Sequence, residues 1–284
     1  MDKHLKRIRI MDTTVLYLGC LILNLLLSAL LTGVIGVFAR MISAAAVIAL
    51  VIFGAKRTGQ KLKNVLPMKQ YKLKTALGAA AVLAGTLLLS VPCILFFHII
   101  APDFAVTGYH ILDLAPAGAK YLWVTLLVLL TCLANTALFE GYLYQGFKHT
   151  ESKAARFLLI PLFYALFFGD IYVFLPLFIM EVGIIFVREQ TGSIKLPFIM
   201  QLFTTSGAFA LLQLSAKDSS FLGENEGALK VLGMAMIFMG VAALLLWASL
   251  SLLGKKNALT PFGKLMTVVL FIVFLAIGSG LTSL

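Results

Sequence analysis

Tyr121–Phe147 reads YLWVTLLVLLTCLANTALFEGYLYQGF, a run with one acid, Glu140, and no base. A helix needs about 20 apolar residues to cross a hydrocarbon core, and this run is long enough. It lacks the period-two alternation of a barrel strand, so a helix is what satisfies its backbone polar groups inside a bilayer. An ionised carboxylate at such a depth costs about 2.5–3.5 kcal/mol on insertion scales, which makes Glu140 a functional-site candidate in need of a partner.

The other residues have the same character. Of 284 residues, 61% are hydrophobic and 12% charged, and the mean hydropathy is +1.02, too apolar for a soluble globule. The expected fold is all-α, a polytopic transmembrane helical bundle of about 8–9 spans. Residues 1–284 read as a single integral membrane domain, with a basic loop at 56–74 and C-terminal transmembrane helices over 231–281. The net charge of +11 does not point to nucleic acid, because the bases sit in short segments between apolar runs. Cys20, Cys93 and Cys132 lie inside apolar runs with no CxxC spacing, and read as small buried hydrophobes rather than disulfide or metal-site residues. The first hydrophobic segment is longer than a signal-peptide core and has no small-residue cleavage site behind it, so it is expected to stay as a helix.

Taken in order, Lys3, Lys6, Arg7 and Arg9 precede a run from Thr14 to the Gly33/Gly36 region, and a second run reaches Phe53, with the turn expected at Gly36–Met41. Lys56–Lys74 holds seven bases and no acid, which suits anionic lipid headgroups, and has room for a short amphipathic piece lying on the surface. Further helices are expected at Thr75–Ile100, kinked at Pro92, at Tyr121–Phe147, and at Phe157–Phe168. After a turn at Gly169–Asp170, one more ends at Val187, and others follow at Leu196–Ala216, Val231–Leu253 and Leu265–Leu281. Nineteen of the 23 Lys and Arg then fall on one side, leaving Arg40, Lys120, Lys217 and Lys230. By the positive-inside bias the N-terminus is cytoplasmic, in a multi-pass protein of the cell membrane. Asp103, Asp113, Asp218, Glu224 and Glu226 fall in outer loops.

At about 1.5 Å of rise per residue, Glu140 lies about 12 Å from Lys148 and Gln201 about 9 Å from Lys195. Phe167 lies about 16 Å from Arg156, and Thr205 about 15 Å from Lys195, so all four are expected in the cytoplasmic half of one bundle. Glu181 either faces the same cavity or packs neutral against a partner. Tyr142 and Tyr144 read as interfacial anchors, and Phe157, Phe163, Phe167, Phe168 and Phe174 as lipid-facing or packing residues.

Glu140-Gly141-Tyr142-Leu143-Tyr144-Gln145-Gly146 resembles the Glu-Glu-x-x-x-Arg-Gly motif of the CPBP family, the CAAX-processing and bacteriocin-processing intramembrane proteases. Phe163–Phe167 resembles its Phe-x-x-x-His motif. Thr191-Gly192-Ser193, followed by Gln201–Thr205, resembles the Thr-Gly-Ser lead into its His-x-x-x-Asn motif. The resemblance covers about 75–216 and implies a CAAX-protease-like core. Carried over by position, the first Glu falls on Glu140. Gly141 stands at the second, Gln145 at the Arg, Phe167 at the first His, Gln201 at the second His and Thr205 at the Asn. Five of the six functional positions are changed.

In the family the Glu is thought to activate water, with two His binding a metal or stabilising an oxyanion. A Phe can neither ligate nor donate, and a Gln amide is a poor ligand that shuttles no proton. His4 and His149 read as cytoplasmic and His98 and His110 as outer, so no imidazole replaces them, and no metal or cofactor is expected. The leading expectation is a non-catalytic member acting as a scaffold or regulator of another membrane or cell-envelope protein. Its contact faces would be a groove between the helices bearing Glu140, Phe167 and Gln201, the basic loop, or the outer loops. The alternatives are an active intramembrane endopeptidase using Glu140, with Gln145, Gln201, Thr204 and Thr205 as hydrogen-bond donors, and a bacteriocin-immunity protein. A transporter would want internal repeats or several embedded charges, and the chain has neither.

Overall fold

The computed structural model describes residues 8–30, 33–100, 120–148, 153–168, 171–217, 228–254 and 260–283. The elements in order are α1 (Ile10–Leu30), α2 (Gly33–Arg57), α3 (Leu62–Val65), α4 (Leu73–Ile100) and α5 (Lys120–Thr136). A π-helical segment, Ala137–Leu143, runs on into α6 (Tyr144–Phe147). Then come α7 (Lys153–Phe168), α8 (Ile171–Thr191), α9 (Lys195–Lys217), α10 (Ala228–Leu252) and α11 (Pro261–Thr282). Among the described residues every regular element is helical, as the apolar runs require.

Among the described residues six stretches are long and apolar enough to cross a membrane: Ile10–Leu27, Phe38–Arg57, Leu73–Ile94, Tyr121–Phe147, Leu229–Leu252 and Pro261–Thr282. The chain is a multi-pass helical membrane protein. Helices α7, α8 and α9 are not among the six. At 16 residues α7 rises only about 24 Å, short of a ~30 Å core, although it begins at Lys153, ahead of the Phe157 start expected from sequence.

The turn expected at Gly36–Met41 is not there, because α2 runs unbroken through it. A glycine costs a helix about 1 kcal/mol relative to alanine, too little to end one flanked by Val, Ile, Phe and Ala. Arg40 stays exposed on α2. The expected cytoplasmic return at Arg188 is also displaced: α8 continues to Thr191, and Arg188 is buried. The turn at Gly169–Asp170, the outer acids Asp103, Asp113, Asp218, Glu224 and Glu226, and His4, His110 and His149 lie outside the described residues. So does the side chain of His98.

The chain divides into two compact units, 1–70 with 106–163 and 192–209, and 71–105 with 164–191 and 210–284. In the first, α1 packs on α2 and α2 on α5. Tyr17 of α1 stacks on Phe163 at 4.7 Å, and its hydroxyl donates to the Phe163 carbonyl at 2.9 Å. In the second, α4 packs against α8 and α10, and α10 against α11. Ser90 Oγ of α4 donates to the Pro176 carbonyl of α8 at 3.3 Å.

Helices α10 and α11 approach through two glycines. A Cβ on Gly278 would stand 2.6 Å from the Gly233 carbonyl oxygen, and one on Gly233 2.7 Å from that of Gly278. Small residues at a crossing let backbones close, which is how membrane helices associate without a hydrophobic drive between them. Gly278→Ala is therefore expected to lower stability by about 1–3 kcal/mol, since a backbone has to move. Gly280→Ala, whose Cβ meets nothing within 4 Å, should be neutral or stabilising. Thermal unfolding of the two variants in detergent checks this, and equal midpoints would contradict it.

Candidate functional site

Glu140 sits in the π-helical segment, all seven residues of which are buried. A π turn takes in more residues than an α turn, and such segments occur frequently at functional sites. Here a neighbouring segment presses on it. A Cβ at Gly141 would stand 2.5 Å from Leu66 Cδ2 and 3.5 Å from the Val65 carbonyl oxygen, so the bare glycine gives Leu66 its place. Gly146, one residue into the second turn beyond, is likewise overlain by the Thr13 side chain.

The Glu140 carboxylate is 0% exposed, and so is Gln201. The sequence offers either Gln201 or Thr205 as the partner of Glu140 across the bundle, and it is Gln201 Nε2 that donates to Glu140 Oε1, at 3.1 Å. Thr205 does not reach the carboxylate in the way also expected. Its hydroxyl accepts from Cys132 Sγ at 3.4 Å, because Thr205 stands one turn beyond Gln201 and meets α5 instead. Thr204 Oγ1 donates to the Gln201 carbonyl of its own helix at 2.9 Å.

Gln145 is a further correction. It lies five residues past Glu140, and its amide donates outward to the Asn64 carbonyl at 2.9 Å rather than into the site. Tyr142 and Tyr144 are not interfacial anchors either, being 1% and 4% exposed. The Tyr142 ring fills the space left by Gly54, and Tyr144 lies under the Arg156 guanidinium, 5.9 Å from its ring centroid, a cation–π distance. Phe167 belongs to the second unit, where it is buried edge-on to Phe168 at 6.0 Å. Glu181, on α8 of that unit, is also fully buried.

The Thr191-Gly192-Ser193 lead has a plain structural job. Gly192 has φ +61°, a left-handed turn that favours glycine, and this ends α8. Ser193 Oγ then accepts from Lys195 N at 3.3 Å and caps α9, the helix that delivers Gln201. One polar group was not read from the sequence: Thr136 Oγ1, buried one turn before Glu140, has no hydrogen-bond partner among the described residues. Chemically the site is a carboxylate held by a primary amide, which can donate but cannot take up or release a proton near neutral pH. Among the described residues no three His, Cys, Asp or Glu converge as metal ligands.

Residues 117–207 match the family model described as type II CAAX prenyl endopeptidase Rce1-like. Over these residues the chain is similar to that family. No curated protein and no solved structure matches the chain. The Rce1-like stretch takes in Glu140, Phe167, Gln201 and Thr205 and is narrower than the core of about 75–216 suggested by the motifs. Leu66, which presses on Gly141, lies outside it.

The Glu140–Gln201 bond is measurable by a double-mutant cycle on unfolding with Glu140→Ala and Gln201→Ala. Interhelical bonds in membranes average about 0.6 kcal/mol and reach about 1.7, so coupling in that range is expected. Strict additivity would mean that the pair contributes nothing.

Proposed function

We propose that this Rce1-like chain is a pseudoprotease of the cell membrane, with its N-terminus in the cytoplasm, that binds and regulates another membrane or cell-envelope protein. The observation that carries this reading is the Gln201 amide on Glu140 Oε1, at a position where the family motif has an imidazole. An amide there donates to one oxygen of a buried carboxylate, as a structural partner would. A general base alone supplies about 10²–10⁴-fold, and peptide hydrolysis needs an electrophile or oxyanion donors besides. With Phe167 at the other imidazole position and Gln145 turned to Asn64, the motif positions offer neither a metal ligand nor a cation. A scaffold needs only a shaped helical surface, which the retained fold supplies.

A second reading, residual endopeptidase activity through Glu140, is favoured by the π-helical geometry at that residue and by the buried Thr136 hydroxyl one turn before it. The two separate in an affinity purification from gentle detergent, run on wild type and Glu140→Gln and read by mass spectrometry. The scaffold reading expects the same stoichiometric partner with both proteins and no fragments of it. An intact protein accumulating only with Glu140→Gln, matched by a shortened product with wild type, would establish cleavage.

A further inference from the structure

The segment between Arg57 and Leu73 joins two stretches that are each long and apolar enough to cross a membrane, so both of its ends are anchored at a bilayer surface. Over residues 56–70 its charge is of one sign: Lys56, Arg57, Lys61, Lys63 and Lys69, with no acid. All five are exposed. Apolar side chains are interleaved with them, since Leu62 is 43% and Met68 66% exposed, while Val65 is fully buried. Lysines alternating with outward apolar residues suit the boundary between headgroups and acyl chains, where the charge meets phosphate and the hydrocarbon enters the interface.

This segment is also fixed in place. Gly59 turns the chain with φ +68°, and Gln60 N donates to the Ala55 carbonyl at 2.9 Å. Beyond it the Asn64 carbonyl accepts from Gln145, the Pro67 carbonyl from Ile194 N at 3.0 Å, and the Lys69 carbonyl from Ser193 Oγ at 3.1 Å. Leu66 is seated on Gly141. The lysines are thus presented from a backbone tied to the helix of Glu140 and to the cap of α9, so less order has to be imposed when a ligand arrives.

We propose that Lys56–Gln70 is a docking surface for anionic phospholipid headgroups, clasped onto the π-helical segment that carries Glu140. The headgroup phosphates meet Lys61, Lys63 and Lys69, and Leu62 and Met68 enter the interface between them. Lysines are compact point charges without the bidentate fork of arginine, so the surface selects negative charge rather than one headgroup shape.

The test uses the full chain in a neutral detergent, titrated with fluorescently labelled phosphatidylglycerol or phosphatidylcholine and read by anisotropy. Wild type should bind phosphatidylglycerol at least about tenfold tighter, and the preference should fall with salt. Each lysine near an anionic surface contributes about fivefold. The combined Lys61→Gln, Lys63→Gln and Lys69→Gln variant should therefore weaken phosphatidylglycerol binding more than about tenfold and leave phosphatidylcholine unchanged. Lys230→Gln, an exposed charge elsewhere, should change neither. The Lys→Arg variant at the same three positions should bind like wild type. Equal binding of the two lipids, an unaffected triple Gln variant, or an equal loss with Lys230→Gln overturns the proposal. If the Gln variant unfolds at lower temperature, the Arg variant decides: loss of binding there also overturns it. Displacement of the labelled lipid by polyglutamate together with no preference between lipids would point to an acidic protein, and overturns it too.

Discussion

A carboxylate in the middle of a membrane helix has to be held by something, and here the Gln201 amide holds Glu140. Much of the first unit can be understood from that requirement. Glu140 needs a donor from another helix; Ser193 and Gly192 set where that helix begins, and eight residues later it presents Gln201. Removing one partner from a buried polar pair leaves the other desolvated, which costs more than the bond itself contributes. The pair therefore fixes the register of α9 against the π-helical segment, whatever chemistry the site retains.

The second constraint is steric. Glycine at position 141 admits Leu66 against the helix backbone, and a glutamate there, as in the family motif, would have to displace it. The bare glycine at 141 and the packing of the basic segment onto the site helix are thus one structural fact. Gln145 ties the same two pieces together, since its amide donates to the Asn64 carbonyl of that segment. Gly141, Gln145 and Gln201 thus each serve a contact with neighbouring backbone or side chain.

The helical membrane fold was legible because spans are written in hydropathy, a one-dimensional signal that survives without any knowledge of packing. Glu140 stood out for the same reason, and counting helical rise put Gln201 and Thr205 at its depth without choosing between them. What the sequence hid depends on contacts far along the chain. The π geometry of Ala137–Leu143 accompanies Leu66, some seventy residues away, and no local pattern announces it. Tyr142 and Tyr144 resemble interfacial anchors in composition, and only Gly54 and Arg156 show why they are inside. Arg40 and Gly36 suggested a turn because charge and glycine usually mark one, yet an exposed arginine and a single glycine are both tolerated within a helix.

The central claim is that an amide-held Glu140 does not cut peptide bonds, and a direct assay of hydrolysis tests it most simply. Purified wild type and Glu140→Gln, each reconstituted in vesicles, would be given a fluorogenic prenylated CAAX peptide and followed against empty vesicles under single-turnover conditions. Identical traces are expected for all three. Product formed by wild type and lost in Glu140→Gln would contradict it, and would make Glu140 a catalytic residue.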